Sequence, residues 1–362
     1  AARFLVTGAH MRMALESAIT RGGMGEEAKR DHVGLVWSGD TAGYRLERGM
    51  VYNGYCLETE FTTFVRGLVG TTSEIADDTG EMTIAGRAKP GLPLKNHLQY
   101  DWTRPDRSCI VRFTCDGQDL LFSTYLMIMP TPHWRDYEHG KRLACDTDTS
   151  FLYLVNYMPS EDDYKYYRYS GGYAPVTPNA LQEYDTVWTS YLGRFSRTGR
   201  VLFGSTFGHR WETGRSMIFL TDIERAADGS LYLLGMAMDE NFPYVPASAL
   251  YPPTDEWGSY ILRLGRDCDT VLAGTFFVPG NYGCFTTDIA IDIDGSILLA
   301  GQLDLGELPV TANAFQPVRP VPDPNPPSHL YMNRRDNFVT RLSEDLDRIE
   351  YCSYLGGAYS ED

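Results

Sequence analysis

Carboxylate side chains recur at one position of this sequence and are its first candidates for chemistry. Asp222 and Asp288 each follow a threonine at the start of two closely similar segments, TDIERAADGSLYLLG and TDIAIDIDGSILLAG. Glu74 and Arg142 stand at the matching place in two more distant copies. A ring of carboxylates would bind a cation or a sugar, or supply an acid/base pair. The alternative is structural, because an aspartate at such a position often caps a turn.

Aromatic residues in long loops form a second set of candidates. The set comprises Tyr164, Tyr166, Tyr167, Tyr169, Trp134 and Trp211. The tyrosines alternate with charged residues, and an exposed tyrosine offers an apolar body with a polar tip that suits a carbohydrate or protein surface. Packing of one loop on another explains the tyrosines equally well, and each tryptophan has the alternative of packing beneath its own loop.

Metal ligands are only weakly indicated. His133 and His139 flank two acidic residues, but their spacing matches no common zinc site. Asp292 and Asp294 have the spacing of a calcium loop, yet the later glutamate of such a loop is missing and a hairpin turn explains them. The sequence contains no P-loop, G-x-S-x-G or H-E-x-x-H pattern. We therefore predict no cofactor, with calcium as the one ion left open.

Internal repeats predict the elements that position these residues. Residues 175–182 read PVTPNALQ and residues 309–316 read PVTANAFQ, and the two TDI segments form a second pair. Self-similarity at a long period indicates an array of one supersecondary unit. Each copy reads as a first strand that ends in a tight acidic turn such as Asp228-Gly229, followed by three further strands. The long connection between the second and third strands carries the P-x-x-x-N-x-x-Q phrase.

Four antiparallel strands per copy, with little helical periodicity, predict an all-β chain folded as a β-propeller of four-stranded antiparallel blades. A single domain, residues 1–362, would hold five approximate units: 1–57, 72–126, 141–207, 220–278 and 286–355. The first unit reads as strands at residues 3–8, 31–40 and 50–57, so it lacks its inner first strand. Residues 356–362 lead toward ring closure. We expect five blades to close, with membership of a larger ring as the alternative.

The repeat resembles the SBBP (bacterial β-propeller repeat) family. Residues 289–357 contain, in order, IAIDIDGSILLAG, LPVTANAFQ, NFVTRL and YCSYLGG, which match the usual phrases of that family. Arginine replaces the family's lysine in the third strand, and the first unit matches least. The resemblance implies a bacterial protein outside the cytoplasm, in secreted, periplasmic or surface form, and it implies no catalytic motif.

One face of the predicted propeller carries the long loops. Strand alternation places the short 1–2 and 3–4 turns at one face and the 2–3 and 4–1 connections at the other. The longest of these connections are residues 129–142, 158–172, 208–216 and 318–336. Binding residues concentrate on variable loops borne by a rigid scaffold, so we predict that this long-loop face binds the partner.

An arginine recurs in the third strand of four units. The series is Arg112, Arg194, Arg263 and Arg341. Because the arginine recurs with the repeat, we expect it to be solvated or to pair between blades rather than to form an anion site.

Composition restricts the partners. The chain of 362 residues has a formal net charge of −16, which argues against the phosphate backbone of a nucleic acid. No apolar run approaches the ~20 residues of a membrane-spanning helix. The chain starts at Ala1, and removal of a targeting segment would agree with an extracytoplasmic location. Seven cysteines are an odd number, and Cys109 and Cys115 are too far apart on one strand for a disulfide, so we expect buried free thiols.

Three hypotheses for function follow. The first is a non-catalytic binding or assembly module that presents the long-loop face to a protein or glycan. The second is a polysaccharide hydrolase or lyase with Asp222 and Asp288 as its catalytic pair. The third is a structural subunit of an extracellular assembly, in which a neighbouring subunit donates a strand to the open edge of the first blade. Carboxylates held in salt bridges or turn caps would argue against the second.

Overall fold

The fold is defined by a computed structural model that describes most of the chain. The described residues are 30–37, 43–52, 55–66, 68–77, 79–88, 91–98, 107–115, 117–126, 137–146, 150–158, 175–182, 190–207, 217–238, 240, 242–254, 256–277, 284–303, 306–319 and 336–356. Within them every regular element is a β-strand, so this part of the chain is all-β.

The strands form five sheets, called blades 1 to 5 from here on. Blade 1 contains β1 (Arg30–Trp37), β2 (Gly43–Tyr52) and β3 (Tyr55–Arg66). Blade 2 contains β4 (Leu68–Ala76), β5 (Met82–Ala88), β6 (Arg107–Phe113) and β7 (Leu120–Tyr125). Blade 3 contains β8 (Tyr137–Cys145), β9 (Phe151–Met158), β10 (Ser190–Phe195) and β11 (Val201–Phe207). Blade 4 contains β12 (Met217–Arg225), β13 (Leu231–Met238), β14 (Gly258–Leu264) and β15 (Val271–Phe277). Blade 5 contains β16 (Cys284–Ile291), β17 (Ile297–Leu303), β18 (Asp336–Leu342) and β19 (Ile349–Leu355).

Every blade is an antiparallel meander, because strands that are consecutive in the chain are neighbours in the sheet. Among the described residues, blades 2 to 5 have four strands each and blade 1 has three. This confirms the predicted fold class, an all-β chain of four-stranded antiparallel propeller blades. The missing inner strand of blade 1 stays a prediction, because residues 1–29 lie outside the described part of the chain. Closure into a ring stays a prediction.

The strand positions predicted for blade 1 are partly wrong. The strand expected at residues 31–40 coincides with β1, but the one expected at 50–57 is two strands, because Tyr52 of β2 pairs with Tyr55 of β3. Only Asn53-Gly54 separates the two, and Asn-Gly is the dipeptide most favoured in two-residue hairpin loops. The turn signal therefore overrode the apolar run. The strand expected at residues 3–8 lies outside the described residues.

The predicted tight turns between first and second strands recur with one hydrogen-bonding pattern. In each, a backbone N–H donates to the carbonyl four residues on, as Ala226 does to Ser230 and Asp292 to Ser296, both at 2.9 Å. Gly229 and Gly295 both have φ of 88°, a left-handed conformation that other residues adopt only at a cost. The repeated acidic Asp-Gly pair is thus explained by turn geometry.

The doubled phrase of the sequence covers a sheet edge. The N–H of Thr311 donates to the carbonyl of Cys352 in edge strand β19, and the N–H of Tyr354 donates to the carbonyl of Gln316. The last glutamine of each copy also makes the same bond to the fourth strand: Gln182 N–H to Ser205 Oγ at 3.2 Å, and Gln316 N–H to Ser353 Oγ at 2.9 Å. An uncovered edge strand would invite pairing with another chain, so the phrase has a structural role.

The chain divides into two compact units. The first comprises Ala1–Tyr153, Gly172–Pro175 and Gly193–Gly204, and the second comprises Leu154–Gly171, Val176–Leu192 and Ser205–Asp362. In the first unit a buried cluster around Met82, Ile84 and Val111 supports blade 2. In the second unit blade 4 packs on blade 5 through a larger apolar cluster, which includes Tyr232, Leu234, Ile261, Ile289, Leu299 and Leu342.

No disulfide occurs among the cysteines that the structure describes, which are Cys109, Cys115, Cys145, Cys268 and Cys352. Cys109, Cys268 and Cys352 are buried, whereas Cys115 is exposed, so the expectation of buried thiols holds for three of the five. No helix in the described part of the chain is long and apolar enough to span a bilayer.

Candidate functional site

The two aspartates predicted as a pair lie on neighbouring strands at the same register position. Asp222 of β12 pairs with Leu234, and Asp288 of β16 pairs with Ala300. Each comes directly after an irregularity in its strand, between Leu220 and Asp222 or between Thr286 and Asp288. A bulge inserts a residue and re-aims the side chain that follows it.

Asp222 is engaged with the backbone of the next blade. Its Oδ2 accepts a hydrogen bond from the N–H of Ile289 at 3.3 Å, so it ties β12 to β16 immediately beside Asp288. Asp222 is half-buried and Asp288 is exposed. Asp222 therefore contacts the backbone directly beside Asp288, and this contact gives Asp222 a structural role.

Glu224 is an acidic residue that the sequence reasoning missed. It lies two residues beyond Asp222, on the same side of β12, because successive side chains of a strand alternate. Burial, and secondarily the carboxylate of Asp222, raise the pKa of Glu224 above its ordinary value. The signal was present in the sequence, since TDIERAADG places two acids at i and i+2 of one strand.

The other two members of the predicted carboxylate ring behave differently. Arg142 lies four residues before the turn residue Asp146, as Asp222 lies four before Ala226, so its position is as predicted. Glu74 is wrong by one residue. Ser73 pairs with Ala85 and is the true equivalent of Asp222 and Asp288, whereas Glu74 pairs with Ile84. Counting back four residues from the start of the turn gives Asp222 from Ala226 and Ser73 from Asp77, so Glu74 lies one strand position too far along β4.

Most loop candidates lie outside the described residues. These are Trp134, Trp211, Tyr164, Tyr166, Tyr167, Tyr169 and His133. His139 falls within β8, in the backbone of a strand rather than in a loop. Among the described residues, no group of three or more His, Cys, Asp or Glu side chains is placed to hold a metal ion.

All four repeat arginines are paired with carboxylates of the turn between the first and second strands of their own blade. Arg112 binds Asp77 and Glu81, Arg194 binds Asp146, Arg263 binds Asp228, and Arg341 binds Asp292 and Asp294. These pairs lie within one blade, whereas we expected solvated arginines or pairs between blades. Arg263 additionally pairs with Glu344 and Asp345 of blade 5, as expected. The pairs within one blade fix its third strand to its first turn.

Asp292 and Asp294 both contact Arg341, and Asp294 also holds the turn. The hydroxyl and the N–H of Ser296 both donate to Oδ1 of Asp294, and these bonds, followed by the charge of Arg341, lower its pKa. Asp228 has the same arrangement with Ser230, and its pKa is lowered for the same reason.

A groove of about 740 Å³ crosses the face of blade 5 that carries Asp288. Its floor is aliphatic and includes Leu298, Ala300 and Val339, and its polar lining includes Arg341 and Glu350. Leu298 is 39% exposed there, which is unusual for a leucine in the middle of a sheet. Within the described part of the chain, this groove combines an apolar floor with a charged rim.

No family model matches the chain and no curated protein matches it, so membership of the SBBP family stays a prediction. Solved structures that resemble it include a saccharide-bound ulvan lyase of a polysaccharide lyase family, with a TM-score of 0.43 and 10% identity over 95% of this chain and 73% of that one. A subtype N10 neuraminidase-like protein from little yellow-shouldered bat has a TM-score of 0.35 and 10% identity, with 91% and 84% covered. An endo-arabinase from Bacteroides thetaiotaomicron has a TM-score of 0.30 and 10% identity, with 77% and 91% covered. Likeness at this level bears on neither substrate nor reaction.

Proposed function

We propose that this chain is a non-catalytic binding and assembly module, located outside the cytoplasm, that takes a protein partner. The observation that carries the proposal is the use of its carboxylates. Asp222 holds the backbone of β16, and Asp77, Asp146, Asp228 and Asp294 hold the repeat arginines. Carboxylates committed to scaffold contacts are poorly placed to attack or protonate a substrate.

The groove on blade 5 supports the same reading. A floor of Leu298, Ala300 and Val339 matches the apolar centre of a protein interface, and the charges at its edge match a polar rim.

A polysaccharide hydrolase or lyase is the second candidate, and one specific arrangement favours it. Asp222 and Glu224 share one side of β12, Asp288 lies on the neighbouring β16, and the pKa of Glu224 is raised. Carboxyl groups whose environments push their pKa values apart are the pattern of an acid/base pair.

A depolymerisation assay separates the two candidates. The full chain is incubated with uronate-containing and neutral polysaccharides, and both new reducing ends and unsaturated products are measured. We expect no turnover above a heat-denatured control. If Glu224→Gln abolishes turnover and Asp228→Asn retains it, the enzyme replaces the proposal. Asp228 is the control because it lies in the turn after β12, where Ser230 and Arg263 bind it.

A further inference from the structure

The groove on blade 5 occupies a surface that, in blade 4, is an interface between blades. By strand register, Leu298, Ala300, Val339 and Arg341 are the equivalents of Tyr232, Leu234, Ile261 and Arg263. In blade 4 these apolar residues are buried in the cluster shared with blade 5. Tyr232 is 0% exposed, whereas Leu298 is 39% exposed. The repeat itself therefore indicates what such a face is built to receive: the strands and turn of another blade.

The covered face of blade 4 receives an acidic turn. Arg263 takes one carboxylate from its own blade, Asp228, and two from the turn between β18 and β19 of blade 5. Its guanidinium lies 2.5 Å from Glu344 and 2.9 Å from Asp345. Carboxylates of blade 5, the blade that covers this face, therefore balance part of the charge around Arg263.

On the face of blade 5, carboxylates of the same blade already balance the charge of Arg341, so no acidic turn from another blade is required. It pairs with Asp292 at 2.9 Å and Glu350 at 3.3 Å, besides Asp294. Asp292 stands where blade 4 has Ala226, and Glu350 where blade 4 has Leu272. Two substitutions have thus turned a face that accepts carboxylates into one with three carboxylates around a single guanidinium.

A face of the opposite polarity already occurs in the first compact unit. There Glu81 of blade 2 takes Arg197, from the turn between β10 and β11, while it also pairs with Arg112. Arg197 follows Ser196 as Glu344 follows Ser343, so the two turns present opposite charges at one equivalent position. Asp292 of blade 5 occupies the position of Asp77 in blade 2, whereas the position of Glu81 is Ser296. The face of blade 5 therefore shares one of the two acids of this basic-accepting face and adds Glu350.

We propose that the face of blade 5 docks a partner protein through an apolar strand pair flanked by a basic turn, with arginine or lysine at the position that Arg197 holds in blade 3. The inference rests on the proposed function and specifies its partner. Leu298, Ala300 and Val339 supply the apolar contact. Asp288, Asp292, Asp294 and Glu350 outnumber the neighbouring cations Arg341 and Arg348, and this excess of negative charge selects a basic partner and repels an acidic one.

Two cyclic hairpin peptides that differ only in charge test this proposal. One alternates valine with arginine and the other alternates valine with glutamate, and fluorescence anisotropy reports their binding to the full chain. We expect the arginine hairpin to bind at least about tenfold tighter, with a preference that weakens as salt rises. Asp292→Ala combined with Glu350→Leu restores the residues of blade 4 and should abolish the preference.

Two further variants keep apolar and charged contributions apart. Leu298→Asp adds an acid but removes the apolar floor, so binding should be lost even though charge alone would strengthen it. Leu272→Glu adds an acid to blade 4 at the position that corresponds to Glu350, outside the groove, and should leave binding unchanged. Circular dichroism confirms that each variant is folded.

Four results would overturn the docking proposal. They are equal binding of the two hairpins, binding retained by Leu298→Asp, self-association that Leu298→Asp abolishes, and a monomer that binds neither hairpin. The third would assign the face to a second copy, and the fourth would mean that the chain covers the face itself. None of these bears on the depolymerisation assay, so the proposed function stands or falls separately.

Discussion

The guanidinium of Arg112 forms a deeply buried ion-pair network. Its side chain is 1% exposed, its partners Asp77 and Glu81 are 5% and 6% exposed, and it lies over the ring of Phe151 with 5.4 Å from Cζ to the centroid. Replacing Arg112 with methionine removes a buried cation from Asp77 and Glu81, although Glu81 keeps Arg197, and such losses cost about 3–5 kcal/mol. We expect a fall of that size in the free energy of unfolding, measured with urea.

Arg341→Met is the matched control, since this equivalent arginine is 29% exposed and its partners reach solvent. Exposed pairs contribute about 0–1 kcal/mol, so the control should lie within that range of the wild type. Equal effects of the two substitutions would contradict the buried-network reading. The sequence predicted neither the pairing of these two arginines within their own blades nor this difference, because burial depends on which blade covers each arginine.

At the scale of strands, the glycine that recurs inside the second strands of blades 2, 4 and 5 has a steric cause in blade 4. A Cβ on Gly235 would lie 2.3 Å from the carbonyl oxygen of Phe219 and 2.4 Å from the ring of Tyr260. Since backbone must move, we expect Gly235→Ala to destabilise the protein by about 1–3 kcal/mol. Gly265→Ala is the control, because its nearest neighbour would be 3.7 Å away. A melting temperature lowered equally by both would refute the explanation.

Strands could be predicted where a repeat or a periodic pattern defined them. They were predicted less well where one or two residues set a turn or the position of a site residue. The apolar second strands and the acidic turns of blades 2, 4 and 5 follow the sequence pattern closely. The hairpin between β2 and β3 was missed because its Asn-Gly signal lies inside an apolar run. Glu74 was misplaced because β4 lacks the acid that β12 and β16 carry four residues before the turn: that position is Ser73, and the nearest acid is one residue further on.

For the molecule as a whole, acid should be the destabilising direction. Hydrogen bonds from Ser230 and Ser296 lower the folded-state pKa values of Asp228 and Asp294. A depressed carboxyl pKa contributes stability above the unfolded value, near 3.9, and that contribution is lost as pH falls through the folded value. Wild type should therefore unfold more readily below pH ~4, and Asp228→Asn with Asp294→Asn should flatten that dependence.

Glu240→Gln, at an exposed carboxylate, serves as the control for this double variant. It should reproduce the wild-type profile of melting temperature against pH. An unchanged profile in the Asp228→Asn, Asp294→Asn variant would show that the two turns do not contribute to the acid dependence.

At the scale of the whole molecule, too, some properties could be predicted from the sequence and others could not. The repeat was sufficient to predict blades, since each copy carries its own four strands and turns. The face of blade 5 was not foreseen, because its character comes from Asp292 and Glu350 relative to Ala226 and Leu272. Those differences acquire meaning only when the strands are aligned by register.

The strip of chain that hydrogen-bonds along each fourth strand has a consequence for how such a protein evolves. Thr311 and Gln316 satisfy the backbone of β19 from within blade 5, as Lys95 does for β7 and Tyr251 for β15 in their own blades. A duplicated or deleted blade therefore brings or removes its own edge cover, and the neighbouring sheets keep theirs. Gene-level gain or loss of whole repeats should be tolerated, whereas a break inside a repeat would separate a strand from its cover. What selection must then adjust is only the pair of faces that become neighbours.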